Sequence, residues 1–459
     1  MISLTAHPSL NTKFNIDSSF SGQASHSMNE TKHDIIVVGG GAAGLMAAAE
    51  LLNQGNRVTI LEANDRLGGR IHTIRNASFK RPVEAGCEFV HGDLPLTVQL
   101  LKAANIEYKP VRGTMTRVGN DGEWKTQDEF TVGWKELIEH MNEVTEDVTV
   151  DEFLQRNFSD DKYKQLRTTV LRFAEGFDLA DTSKASVLAL REEWMEEEEE
   201  QYRVPAGNDQ LIDYLEKQCR KANGTIHTSA IVTSISWKRN EVTILAQNGQ
   251  TYHGNKVIVT VPLGVLQADS PSINFQPAIN EYLNASKKIG FGSVVKVLFQ
   301  FKESFWEQKK KNIGFLFADA PVPTWWTQLS SDFPLLTGWA GGPQAWMLET
   351  RDDITIQQLA LQSLSIMFQR SVDDLKDLLT AHQIVNWRND PFTRGGYSYC
   401  TIESIKAQEL FSTPIQDTVY FAGEAFYNGP SPGTMEAALA SAENVVEKIS
   451  GRKSISKRQ

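Results

Sequence analysis

The segment Asp34–Glu62, DIIVVGGGAAGLMAAAELLNQGNRVTILE, constrains this chain more than any other. Ile35–Val38 is a short β-branched run suited to a fully buried parallel strand. It enters Gly39-Gly40-Gly41-Ala42-Ala43-Gly44, and the Ala/Leu-rich Leu45–Leu52 then reads as a helix, ended by Gly55. Arg57–Leu61 reads as a second strand with Glu62 at its end. In this pattern Gly39 makes the tight turn, Gly41 lets the backbone approach a pyrophosphate, and Gly44 permits close helix–strand packing. Ala43 lies at the start of the helix, whose free N–H groups and positive dipole end suit phosphate. Glu62 stands 18 residues after Gly44, where an acid grips a ribose hydroxyl. A glycine triplet alone is weak evidence. Strand, glycines, helix, strand and acid in register point to a dinucleotide, without separating NAD from FAD.

Composition narrows the class. The 459 residues suffice for two to four folding units and a large core. Hydrophobic residues at 41% and charged residues at 22% are ordinary globular usage, which argues against a fibrous or wholly disordered chain. A net charge of −11 disfavours nucleic acid as a partner, because phosphate binding needs basic patches. It is compatible with a cationic ligand. The three cysteines, Cys87, Cys219 and Cys400, are far apart and form no CxxC or Cys/His cluster. Neither a disulfide framework nor a metal site is expected, and a reducing, cytoplasmic compartment is the simplest reading. Residues 1–32 lack the apolar core of a signal peptide and read as a disordered leader. The longest uncharged apolar stretch, Ile35–Ala49, has 15 residues and three consecutive glycines, so no membrane span is expected.

The next residues settle the cofactor. Glu62-Ala63-Asn64-Asp65-Arg66-Leu67-Gly68-Gly69-Arg70 follows at once, and two glycines between arginines suit a second loop over a diphosphate. Here the sequence resembles the flavin-containing amine oxidase family of monoamine oxidases, polyamine oxidases and flavin histone-lysine demethylases. That family carries an E-A-x-x-R-x-G-G-R run after the dinucleotide fingerprint. The third position is often Arg and here is Asn64, which loses one adenosine contact and keeps Arg70.

The resemblance continues along the chain. Val83–Gly92 (VEAGCEFVHG) is similar to the block under the flavin ring, which implicates Gly86, Cys87 and Glu88 in cofactor binding. Its V-H-G ending resembles that of polyamine oxidases and places His91 near the amine; the alternative is a loop histidine satisfied by backbone. Val232-Thr233-Ser234-Ile235 matches a strand whose valine backbone meets the adenine. Val419–Glu424 and Gly433–Leu439 resemble the blocks for the ribityl-phosphate region and the pyrimidine edge, implicating Gly423, Glu424, Thr434 and Met435.

Chemistry is expected in two further places. Phe291–Phe301 reads as a strand with Val294, Lys296, Leu298 and Gln300 on one face. A lysine there either reaches out at an edge or is held for function. The resemblance implies the second, through a water at flavin N5. Trp387–Pro391 and Arg394–Tyr399 resemble the block before the last FAD-domain strand. Monoamine oxidases carry a covalent cysteine after the two glycines. Here Tyr397 stands there, so non-covalent FAD is expected. The paired tyrosine cage of those enzymes aligns with Ser398 and Thr434 and is missing. Tyr397, Trp339 and Trp387 are the candidates for another aromatic wall, with core packing the alternative for each tryptophan. The acidic run Glu192–Glu200 reads as a solvated helix face or loop, or as a rim that attracts polyamines or basic peptides.

These observations and the resemblance together imply an α/β fold: an interrupted Rossmann-like FAD-binding domain with an α+β substrate domain, monoamine/polyamine oxidase-like. FAD-binding parts fall at 33–92, 205–271 and 393–450. A helical first part (93–204) and a second part (272–392) of the substrate domain interrupt them, with 451–459 as a tail. The implied activity is FAD-dependent oxidation of a primary or secondary amine to an imine by hydride transfer to flavin N5. O2 is the expected acceptor, giving H2O2, and hydrolysis of the imine gives aldehyde. A small-molecule amine is the expected partner, and the protein is expected to be a monomer or homodimer. Lys296, Tyr397 and His91 are the catalytic candidates. The rival readings are a desaturase or protoporphyrinogen-type oxidase, and a regulatory or peptide-directed flavoprotein.

Overall fold

The computed structural model describes residues 33–452, apart from 93, 120, 128–130, 196–199, 271–272 and 330. The expected leader, residues 453–459 of the tail and the middle of the acidic run therefore lie outside the described residues. From His33 onward the chain forms one unit built around two main sheets.

The β-branched run becomes the central strand Asp34–Val38 of a five-stranded parallel sheet. The order is Thr225–His227, Arg57–Leu61, Asp34–Val38, Lys256–Val259, Val419–Phe421. Ile35 and Val37 point to one face, against the helices Ala42–Asn53 and Met435–Ser450. Ile36 and Val38 point to the other, against a smaller sheet that contains Val232–Lys238 and Glu241–Ala246. Both faces are covered, which is why this strand is apolar throughout rather than alternating.

The second main sheet has seven strands. Their order is Leu379–Asn386, Val294–Phe301, Leu335–Gly341, Thr324–Thr327, Ile313–Ala318, Thr114–Val118, Trp124–Thr126. Val295, Val297, Phe299 and Phe301 pack against the helix Asp353–Phe368. The opposite face carries Val294, Lys296 and Leu298, as the alternation predicts. The helical expectation for 93–204 needs correction. Alongside its helices, this segment supplies the strands Thr114–Val118 and Trp124–Thr126 to the large sheet. Thr116 and Val118 alternate inward there, and Thr114–Val118 pairs in parallel with Ile313–Ala318, a contact local sequence does not announce. No helix among the described residues is long and apolar enough to cross a membrane.

Candidate functional site

The fingerprint loop is shaped by close approach. Gly39 has φ +114°, and its N–H donates to the Leu61 carbonyl at 2.8 Å. A Cβ on Gly44 would lie 2.0 Å from the Gly39 carbonyl oxygen, so only glycine lets the helix begin there. Gly41 is different: a Cβ there would meet only the Gly68 oxygen, at 3.9 Å. Its open side belongs to a cavity of about 2050 Å³. The helix Ala42–Asn53 starts at that cavity with no side chain capping its first turn. Glu62 is buried. Its Oε2 accepts from Gly40 N–H at 2.7 Å and its Oε1 from Asn64 N–H at 2.8 Å.

At the same cavity, Arg70 donates to Glu424 Oε1 and to the Gly396 carbonyl, each at 2.7 Å. The other Glu424 oxygen accepts from Ser398 Oγ at 2.5 Å. The C-terminal helix opens there too: Thr434 caps it by accepting from Ala437 N–H at 3.2 Å. Two helix N-termini and an ordered guanidinium thus face one space, the donor set a diphosphate-linked dinucleotide requires. The residues present fit FAD.

Lys296 lies on the wall of the cavity and is fully buried. Its Nζ donates to Glu88 Oε2 at 2.8 Å and to the Gly86 carbonyl at 3.1 Å. Glu88 also accepts from Trp326 Nε1 at 2.9 Å and Gln328 Nε2 at 3.0 Å, and pairs with Arg203 at 3.2 Å. Burial alone would raise the Glu88 carboxyl, but the Lys296 and Arg203 charges hold it well below the usual carboxylate range. Neighbouring Glu84 is pushed up to about 7, chiefly by burial.

Around this cluster runs an aromatic wall. Lys296 faces Trp339 in the strand register, and Trp326 lies diagonally on the next strand. Trp339 lies nearly parallel to Tyr397, 24° apart with centroids at 6.4 Å, and 6.0 Å from Trp326. Trp339 Nε1 donates to the Gly176 carbonyl at 2.7 Å, and Tyr397 OH donates to the Phe177 carbonyl. Phe89 continues the wall at 5.4 Å from Trp326, and His91 sits between Phe89 and Phe177. Burial lowers the His91 pKa to about 4, which keeps the ring neutral near pH 7. Its Nδ1 has no partner among the described residues.

Most sequence-derived candidates line this one cavity, including Gly39, Gly41, Ala43, Glu62, Gly69, Arg70, Gly86, Cys87, Glu88, His91 and Lys296. Trp339, Trp387, Tyr397, Gly423, Glu424, Thr434 and Met435 line it as well. Gly44, Ala63 and Val232 do not. Gly44 packs against Val37 and Thr260, while Val232 is buried in the neighbouring core. Trp387 is the most withdrawn of the aromatic candidates, 5% exposed with its Nε1 on the Ala85 carbonyl, so its packing role is evident. Phe89, Phe177 and Trp326 were not singled out by sequence; nor was Glu436. That buried acid accepts from Leu96 N–H and Thr97 N–H at 2.9 and 2.8 Å, holding the start of a second helix. An acid inside an Ala-rich helix needs such partners, and that was its available signal. In the acidic run, Glu192 is exposed and Glu200 pairs with Arg112.

Comparison with known proteins agrees with this geometry. The family model described as flavin containing amine oxidoreductase matches residues 42–450. Polyamine oxidase 2 of Arabidopsis thaliana is 26% identical over 452 residues, covering 91% of this chain and 88% of that protein. Lysine-specific histone demethylase 2 of Homo sapiens is 27% identical, covering 90% of this chain; the chain spans only 53% of that relative. The solved structure of wild-type putrescine oxidase bound to putrescine has a TM-score of 0.77 at 18% identity, covering 92% of this chain and 100% of the other. Cyclohexylamine oxidase from Brevibacterium oxydans has a TM-score of 0.75 at 20% identity, covering 92% and 99%. At such identities the likeness to these structures is one of fold.

Proposed function

Because the chain belongs to the flavin-containing amine oxidoreductase family, we propose that it is an FAD-dependent amine oxidase that converts a primary or secondary amine to an imine. The observation that supports this reading most is the single cavity that joins the fingerprint loop and two helix N-termini to a buried lysine and an aromatic wall. FAD, held by the fingerprint loop, Arg70 and the Thr434–Met435 helix start, would supply the redox chemistry: acceptance of a hydride equivalent from the amine carbon and transfer of two electrons to O2, giving H2O2.

In this reading each part of the chain has a task. Segments 33–92, 205–271 and 393–450 hold the cofactor, and 93–204 with 272–392 enclose the amine. The Gly41 and Gly69 backbone and the first helix N-terminus bind the diphosphate. Arg70, oriented by Glu424, adds a charge-assisted donor. Glu62 Oε1 is taken by the backbone and side-chain N–H groups of Asn64, while Oε2 accepts only from Gly40 and keeps a lone pair for a ribose hydroxyl. The Thr434–Met435 helix start presents N–H groups to the polar edge of the flavin ring. Trp339, Trp326, Phe89 and Tyr397 orient the substrate and exclude water. Neutral His91 leaves a polar contact for the amine without a charge that repels an ammonium. With Tyr397 where a covalent cysteine would stand, FAD is held non-covalently.

An anaerobic titration of the purified protein tests the reading. Spermine, spermidine, acetylated polyamines and aryl-alkyl amines are added in turn while the visible flavin spectrum is followed. Bleaching by one class, reversed by air, is the expected result. A flavin that no amine bleaches would sink the amine assignment. Acid precipitation is expected to leave the flavin in the supernatant; colour in the pellet would contradict non-covalent binding.

A further inference from the structure

Glu88 is bound to more of the site than any role in holding a cofactor requires. Four side chains from three parts of the chain converge on it: Lys296, Trp326 with Gln328, and Arg203. The Glu88 side chain is 4% exposed, and the Lys296 side chain that it pairs with is 1% exposed. An ammonium has three N–H donors. Lys296 gives one to Glu88 and one to Gly86, and the third has no acceptor among the described residues. Its Nζ also stands 5.4 Å from the Trp326 ring centroid, so Glu88 fixes both partners of that contact.

We infer that Glu88 is a positioning residue that holds Lys296 as a fixed ammonium in the cavity wall, together with the Trp326 ring. Lys296 then serves the site as a donor with one N–H to spare, and not as a proton acceptor. The inference rests on the reading of this cavity as the reaction site.

The surroundings make Glu88 hard to replace. The charged or titratable groups facing Lys296 are Glu88 and Cys87 from their shared loop and Glu84 from its strand, with Arg203 of the strand Gln201–Arg203 in contact with Glu88. Arg203 is a second cation and gives Lys296 no counter-charge. The Cys87 thiol is pushed up to about 12 and stays neutral. Glu84, raised to about 7, is committed to Asn208 N–H and Thr73 Oγ1. Glu88→Gln has the right shape, but its NH2 must face either the three donors that meet Oε1 or the Lys296 ammonium that meets Oε2. It also strands a buried ammonium without its counter-charge, which favours release of the proton.

The test compares wild type, E88Q, K296M and the E88Q/K296M double variant, all as purified full-length protein. Melting temperatures are recorded from about pH 7 to about pH 10, below and up to the range where an unfolded lysine titrates. In E88Q the unfolded chain binds a proton at Lys296 that the folded chain does not, so its deficit against wild type shrinks as pH rises. The double variant should lose that pH-dependent part. In the flavin titration, the limiting bleaching rate of E88Q near pH 7 should fall roughly 10- to 100-fold and acquire a new ionisation, as expected of a displaced site group. A pH-independent deficit, or one that persists unchanged in the double variant, overturns the role. If E88Q alone fails to fold, recovery of folded double variant supports the role, and no recovery overturns it. The melting comparison needs no substrate, so a flavin that no amine bleaches defeats the amine-oxidase reading separately.

Discussion

Trp339 combines two kinds of contact in one side chain. Its ring stands across from Lys296 in the sheet and beside Tyr397, and its N–H is fixed on the Gly176 carbonyl. Trp339→Phe keeps most of the wall and loses a hydrogen bond worth about 1 kcal/mol. Trp339→Leu also removes the aromatic face, a loss of roughly 1–2 kcal/mol toward a bound cation. The half-saturating amine concentration in the flavin titration should therefore rise about tenfold in W339L and clearly less in W339F. Equal half-saturation in wild type and W339L would remove Trp339 from the substrate wall. The same scale shows where sequence reading stops. Lys296 stood out as a lysine inside an apolar strand. Its partner Glu88 lies 208 residues away, and nothing local pairs them. What could be read was that an acid between Cys87 and Phe89 needs donors if buried.

Two elements carry most of the proposed cofactor contacts, and both were legible because their signals are contiguous. Gly39–Gly44 and Gly433–Met435 each place a turn directly before a helix, so spacing alone locates the N-terminus. Gly44→Ala tests the first. The new methyl would overlap the Gly39 oxygen and approach Thr260 Oγ1 at 2.9 Å, so the helix must move off its strand. Overpacking of this kind costs about 1–3 kcal/mol, and flavin content on purification should fall sharply. Full flavin content in G44A would refute the close-packing role. Thr434→Ala tests the second. It removes the cap on Ala437 N–H, which is worth about 1 kcal/mol, and T434S should restore it. Melting temperature reads out both variants, and a T434A that melts like wild type would deny the cap its weight. The seven-stranded sheet was less legible, because its order joins strands from both sides of the fingerprint-related segments. Thr114–Val118 has the alternation of a strand, but its pairing with Ile313–Ala318 is decided by packing across about two hundred residues.

At the scale of the whole molecule, buried titratable groups set how the fold responds to acid. His91 and His72 are both lowered from 6.5 to about 4, chiefly by burial. The stability each contributes is present above the unfolded value and is lost as pH falls through the folded one. Glu84 runs the other way. Its carboxyl is raised from 4.5 to about 7, so its contribution is complete below the unfolded value and lost as pH rises through the folded one. Between about pH 4.5 and 6.5 the unfolded chain holds protons on both histidines, while the folded chain holds one on Glu84. For these three groups the unfolded state binds about one proton more, and stability falls as pH drops through this window. Glu84→Gln removes the opposing group and should steepen the fall to about two protons; His91→Phe should flatten it toward zero. Differences between variants cancel the titrations they share, so melting curves of wild type, E84Q and H91F at pH values spanning the window suffice. An E84Q variant that loses no more stability than wild type on acidification would mean that Glu84 is already ionised in the folded protein. The buried acid beside Lys296 would then be a second counter-charge for it, and Glu88 would share its hold on the ammonium.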